Sequence, residues 1–121
     1  MIEKKKRPKT TIGKCYRIET GCGHFYITVN RNKETGELVE LLASLGKAGG
    51  CAIALNEALT RTISLGLKYS IPIEEYIKQL EDIRCPIPVW EDGIHILSCP
   101  DAIAKVLELE IKEKRNGRAD S

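Results

Sequence analysis

The sequence predicts an α+β domain: an antiparallel meander of three to four strands packed against a central apolar helix and two further helices. The first third of the chain carries period-two alternation of apolar and polar residues, the mark of half-buried strands. After Gly46-Lys47-Ala48-Gly49-Gly50 the texture changes to an Ala- and Leu-rich stretch with helical spacing. Composition sets the scale. The chain has 121 residues, 42% of them apolar but only 5% aromatic, so the core is aliphatic. A chain of this length hides roughly two thirds of its unfolded surface, enough for one core and too little for two. Residues 1–13 are expected to form a basic flexible leader, 14–112 a single domain and 113–121 a charged tail that frays.

The elements follow in order. Cys15-Tyr16-Arg17-Ile18-Glu19 alternates as a strand, with Cys15 expected to pack as an ordinary core residue. Thr20-Gly21-Cys22-Gly23 is a tight turn into the clearest strand, where Phe25, Ile27 and Val29 alternate with Tyr26, Thr28 and Asn30. Asn32-Lys33-Glu34-Thr35-Gly36 is a polar loop into a third strand over residues 38–45, with Val39, Leu41, Ala43 and Leu45 expected on one face. Residues 51–68 form the apolar helix, with a polar stripe through Glu57, Arg61, Ser64 and Lys68. A second helix opens at Ser70-Ile71-Pro72, repeats through Ile73, Ile77, Leu80 and Ile83, and ends before Cys85-Pro86. Residues 90–97 suggest a fourth strand, and Ser98-Cys99-Pro100-Asp101 opens a third helix with Ile103, Val106, Leu107 and Ile111 on its apolar face.

Charge and hydropathy exclude several classes. No apolar run approaches the ~20 residues that span a bilayer, and no apolar segment follows the basic start as a secretory signal requires. A cytoplasmic location is expected, where thiols stay reduced; five cysteines, an odd number, also fit a secreted disulfide framework poorly. The net charge of +2 hides an asymmetry, because Lys4, Lys5, Lys6, Arg7, Lys9 and Lys14 crowd the start against Glu3 alone. Such a leader suits nucleic acid or another anionic partner, or serves as a solubilising tail. No aromatic residue is interleaved with the charges to stack on single strands.

Cysteine usage points to chemistry. Cys22, Cys51, Cys85 and Cys99 all sit at element boundaries beside Gly or Pro, where the chain can bend around a shared centre. Four thiolates bind Zn²⁺ tetrahedrally, although no Cys-x-x-Cys occurs and such a site must be assembled by the tertiary fold. Cys51 and Cys99 fall at expected helix N-termini, where the dipole favours thiolate; a redox thiol pair is the other chemical reading, and separate structural thiols the plain one. His24 is a surface histidine or a companion ligand to Cys22, and His95 is packed. Lys47, Gly49 and Gly50 form a weak anion- or nucleotide-binding candidate, set against a plain strand-to-helix corner. No Ser/His/Asp constellation and no isolated carboxylate pair stands out.

Four segments, Thr20-Gly21-Cys22-Gly23, Gly46-Lys47-Ala48-Gly49-Gly50-Cys51, Ile83-Arg84-Cys85-Pro86 and Leu97-Ser98-Cys99-Pro100-Asp101, resemble in order the signatures of the TSCPD domain. That domain occurs near the C-terminus of adenosylcobalamin-dependent (class II) ribonucleotide reductases and as a small separate protein. The resemblance covers about residues 12–110. It departs at Leu97, where the name motif has Thr. It implies an accessory or scaffold module of the reductase system, with the large reductase chain as partner. Ribonucleotide reduction needs a large catalytic barrel that 121 residues cannot hold, so the chain is expected to be non-catalytic alone. The alternative is a nucleotide- or nucleic-acid-binding module using the leader and the corner at residues 46–50.

Overall fold

The computed structural model describes residues 3–46 and 49–119, with side chains up to residue 113. Strands β1 (Thr11–Thr20), β2 (Gly23–Asn32) and β3 (Leu38–Leu45) form one antiparallel sheet in sequential order. Helices α1 (Gly50–Lys68) and α2 (Ile73–Leu80) follow, then β4 (Val89–Glu91), β5 (Ile94–Ile96) and α3 (Cys99–Ala119). The architecture is α+β, as the sequence predicts. The stretch read as a fourth strand is a separate two-stranded hairpin turning at Asp92-Gly93.

The central strand behaves as its alternation demands: Phe25, Ile27 and Val29 are fully buried on one face. β1 pairs with β2 from Thr11 opposite Asn32 to Thr20 opposite Gly23. Tyr16 and Ile18 face the core and pack against it, which turns Cys15 the other way into solvent. The expected packing of Cys15 is therefore wrong, for a reason of parity. In β3 the register shifts beside Asn30 and Arg31: Arg31 pairs with Leu38 and Asn30 with Glu40, leaving Val39 as the extra residue. A bulge reverses the alternation upstream of it. Leu38 is buried there in place of Val39, while Leu41 and Leu45 lie in the core as expected.

α1 runs along β3 and buries Asn56, Thr60, Ile63 and Leu67. Ser64, expected on the polar stripe, faces the strand instead. The Leu41 N–H donates to Ser64 Oγ at 3.0 Å, and that hydroxyl donates to the Leu41 carbonyl at 2.9 Å. One side chain thus satisfies both peptide groups of Leu41 at the open edge of the sheet. α3 closes the core with Ala102, Ile103, Val106 and Leu107, all fully buried.

α2 ends at Leu80, short of the expected Ile83. Glu81 is extended, and Asp82 takes a positive φ of 65° with its N–H bound to Asp101. The chain leaves the helix there and Ile83 is exposed. The described part of the basic leader lies against the body. The Lys5 N–H donates to the Lys68 carbonyl at 2.8 Å, Lys5 pairs with Glu37, and Arg7 pairs with Glu40 at 2.6 Å. α3 continues through the residues read as a fraying tail, as far as Ala119. Among the described residues, no helix is long and apolar enough to cross a membrane.

Candidate thiol cavity

The turn between β1 and β2 is fixed by one hydroxyl. Thr20 Oγ1 donates to the Gly23 carbonyl at 2.9 Å and accepts the Cys22 N–H at 3.3 Å. Gly23 has φ 124°, a conformation open to glycine and strained for other residues. Gly21 serves close approach: a Cβ there would lie 1.9 Å from the Ile87 carbonyl oxygen. Its bare backbone lets the Cys85-Pro86-Ile87 loop press against the turn that carries Cys22.

That loop is held from its other side as well. The Cys85 N–H donates to the Leu97 carbonyl at 3.0 Å. The next residues, Ser98-Cys99-Pro100-Asp101, build the start of α3. Ser98 Oγ accepts the Asp101 N–H at 3.1 Å, the first half of a capping box. The Asp101 carboxylate reaches back to the Leu97 N–H at 2.9 Å, across to the Asp82 N–H at 3.0 Å, and onto Lys105. Burial alone would push the Asp101 carboxyl up. The Lys105 ammonium and the two peptide N–H groups overcome that and hold it below its usual value. The motif residues therefore join the end of α2, the end of β5 and the start of α3. Leu97 acts through its peptide groups, so Leu at this position leaves both backbone bonds in place.

Cys22, Cys85 and Cys99 consequently line one cavity of about 240 Å³. Ala52, Leu55 and Leu59 of α1 give it an apolar wall, and Thr20, Asn56 and Ser98 supply its polar atoms. Cys99 is buried, Cys22 and Cys85 are half-buried, and all are free thiols. The Cys99 thiol donates to Thr20 Oγ1 at 3.8 Å. Its pKa is raised, first by burial and then by the nearby Cys22 and Cys85, against hydrogen bonds with Thr20 and Asn56 that lower it. Burial thus works against the thiolate that a helix N-terminus favours at Cys99.

Cys51 is placed differently. It is exposed on the first turn of α1, and its neighbour Ala52 is the residue that lines the cavity. Among the described residues, no group of three or more Cys, His, Asp or Glu side chains is arranged to hold a metal ion. The donor chemistry still suits one, because thiolates are preferred ligands of Zn²⁺. Three thiols from three distant segments already share one largely apolar cavity.

The remaining candidates lie elsewhere. His24 is exposed and paired with its cross-strand neighbour Glu19. His95 stacks on Trp90 with ring centroids 4.3 Å apart and an interplanar angle of 5°. Gly49 and Gly50 are exposed at the N-terminus of α1, which has no side-chain cap, and Lys47 lies outside the described residues. Sequence reasoning missed Thr20 and Asn56 as cavity residues, although Asn56 in an apolar helix was a signal. It also missed a wider cleft of about 390 Å³ beside Glu110, whose buried carboxylate binds Arg31 at 3.0 Å and accepts a hydrogen bond from Tyr16.

Residues 2–111 match the TSCPD domain. The chain belongs to the TSCPD domain family. Two similar proteins are the vitamin B12-dependent ribonucleotide reductases of Streptantibioticus cattleyicolor and Streptomyces clavuligerus. Each is 27% identical to the chain over 81 residues, or 67% of the chain. The match spans 13% of the first relative and 8% of the second, so it concerns one region of much larger enzymes. No solved structure matches the chain significantly. Three of the cysteine-bearing segments of this TSCPD domain are also ones whose backbones the structure ties together: the β1–β2 turn, the Cys85 loop and the start of α3.

Proposed function

We propose that this TSCPD domain is a non-catalytic accessory or scaffold module of the vitamin B12-dependent ribonucleotide reductase system, built around a thiol or Zn²⁺ centre. The observation that carries the reading is the convergence of Cys22, Cys85 and Cys99 on one cavity. Cys51, one residue from the cavity wall, is the fourth donor. A bound Zn²⁺ would supply charge to stabilise thiolates and a crosslink among segments distant in the chain. The protein's part is to present the donors: Thr20 fixes the turn, Cys85 is pinned through Leu97, and Ser98 with Asp101 sets the first residue of α3. The relationship to the reductases supports the system in which the module acts.

The nucleic-acid alternative has less support. Lys5 and Arg7 of the leader are engaged by Glu37 and Glu40, and Lys14 by Glu110 and Glu113, which reduces the free positive charge a phosphate backbone would meet.

The test is elemental analysis of untagged protein, combined with thiol counting in the native state. One zinc per chain, with Cys22, Cys51, Cys85 and Cys99 protected from alkylation and Cys15 reactive, is the expected result. Absence of zinc after refolding with the metal, with all five thiols reacting freely, overturns the metal centre. Cys99→Ser should lower the melting temperature and abolish stoichiometric zinc; an unchanged melting curve counts against a structural centre.

A further inference from the structure

The face of α1 turned away from β3 carries a seam that nothing in the described chain covers. Leu55, Ala58, Thr62, Leu65 and Tyr69 follow one another at spacings of three, four, three and four residues, the heptad pattern by which helices pair. The residues that α1 buries against the rest of the domain, Asn56, Thr60, Ile63 and Leu67, belong to the other side of the helix. Leu55 is 70% exposed, Leu65 48% and Tyr69 38%, and Ala58 and Thr62 are exposed between them. Thr62 already gives its hydroxyl to the Ala58 carbonyl at 2.8 Å and so has its methyl left for packing.

We propose that this seam pairs with the same seam of a second copy, α1 against α1, antiparallel about a two-fold axis passing between Ala58 and Thr62. The occupant is argued from self-complementarity. An isologous interface requires each residue to meet its symmetry mate's partner. With the axis between Ala58 and Thr62, Leu55 of one copy meets Leu65 of the other at both ends, and Ala58 meets Thr62 in the middle, where small side chains let the helices approach. The flank is complementary as well. Glu57 and Arg61 lie on one side of the seam, and among the described residues neither makes an ion pair. Antiparallel pairing brings Arg61 of each copy within reach of Glu57 of the other, forming two reciprocal pairs. A 19-residue helix is roughly 28 Å long. One helix face buries less than the ~800 Å² per partner of a standard interface, so the dimer is a weak, concentration-dependent one. Leu55 also borders the thiol cavity, whereas Glu57, Arg61 and Leu65 do not, so substitutions at those three positions test the seam without touching the thiol centre.

Sedimentation velocity on the full chain over a concentration series tests it. The expected result is a monomer–dimer equilibrium with micromolar dissociation. Leu65→Glu, at an exposed position, should leave the melting temperature of the dilute protein unchanged and weaken dimerisation at least tenfold. Arg61→Glu should also weaken it, and the double swap Glu57→Arg with Arg61→Glu should restore it, because the reciprocal pairs re-form with reversed sign. A chain that stays monomeric at millimolar concentration overturns the proposal. So does a dimer indifferent to Leu65→Glu, or one that the double swap does not restore.

Discussion

Replacing Asp101 with Asn changes one atom type at the most connected point of the fold. Asp101 is 1% exposed and its carboxylate accepts from two peptide N–H groups, those of Leu97 and Asp82, at 2.9 and 3.0 Å, while Lys105 bonds to it from the next turn of α3. An amide of the same shape keeps one acceptor oxygen and turns its NH₂ toward the second peptide N–H. One charge-assisted bond is lost, about 1.5–3 kcal/mol, and a buried N–H is left facing a donor. The Lys105 pair is part-exposed and adds about 1 kcal/mol or less. The sum is roughly 2–4 kcal/mol, which lowers the melting temperature of a domain of this size by roughly 10 °C. Urea and thermal unfolding followed by circular dichroism measure it, with Lys105→Met as the comparison expected to cost about 1 kcal/mol or less. The pH dependence supplies a second signature. The folded carboxyl titrates below its unfolded value of about 3.9. Its contribution is therefore present above that pH and lost as pH falls through the lower, folded value. Asp101→Asn should remove that part of the acid-side decline. A melting temperature within about 2 °C of the parent, or a loss no larger than that of Lys105→Met, would refute the bridging role given to the two peptide bonds.

Two further expectations follow from the same geometry. Gly21→Ala places a Cβ 1.9 Å from the Ile87 carbonyl, so the Cys85 loop must move off the β1–β2 turn; a cost of about 1–3 kcal/mol and faster alkylation of Cys85 are expected, and native-like rates would show that the loop does not rest on Gly21. Tyr16 is pushed up to about 12, chiefly by burial and then by its hydrogen bond to Glu110. Its stabilising contribution is present below the unfolded value near 10 and disappears as pH rises through the folded one. Tyr16→Phe should therefore flatten the loss of stability between those limits and remove the last tyrosinate step in an ultraviolet titration; persistence of that step would assign it to another tyrosine.

Local pattern and tertiary context can be separated residue by residue. Alternation in β2 places Phe25, Ile27 and Val29 in the core because a half-buried strand has no other way to sort its side chains. Ser98-Cys99-Pro100-Asp101 starts α3 because capping is a property of a few adjacent residues. The bulge that exchanges Val39 for Leu38 leaves no such local mark, since it arises from how two strands register. Ser64 reads as polar surface until the open edge of β3 is known to lie against it.

The cysteines divide along the same line. Their position at turns and helix ends, beside Gly and Pro, was written in the sequence, as was the resemblance to a domain of the vitamin B12-dependent reductases. Which thiols meet was decided by the fold, because Cys22, Cys85 and Cys99 are distant in the chain and are brought together by the Gly21–Ile87 approach and the Cys85–Leu97 hydrogen bond. The fold also set their chemistry. A helix N-terminus argues for thiolate from sequence alone, but burial pushes the Cys99 thiol up, and that desolvation depends on everything packed around the group and not on its place in one helix.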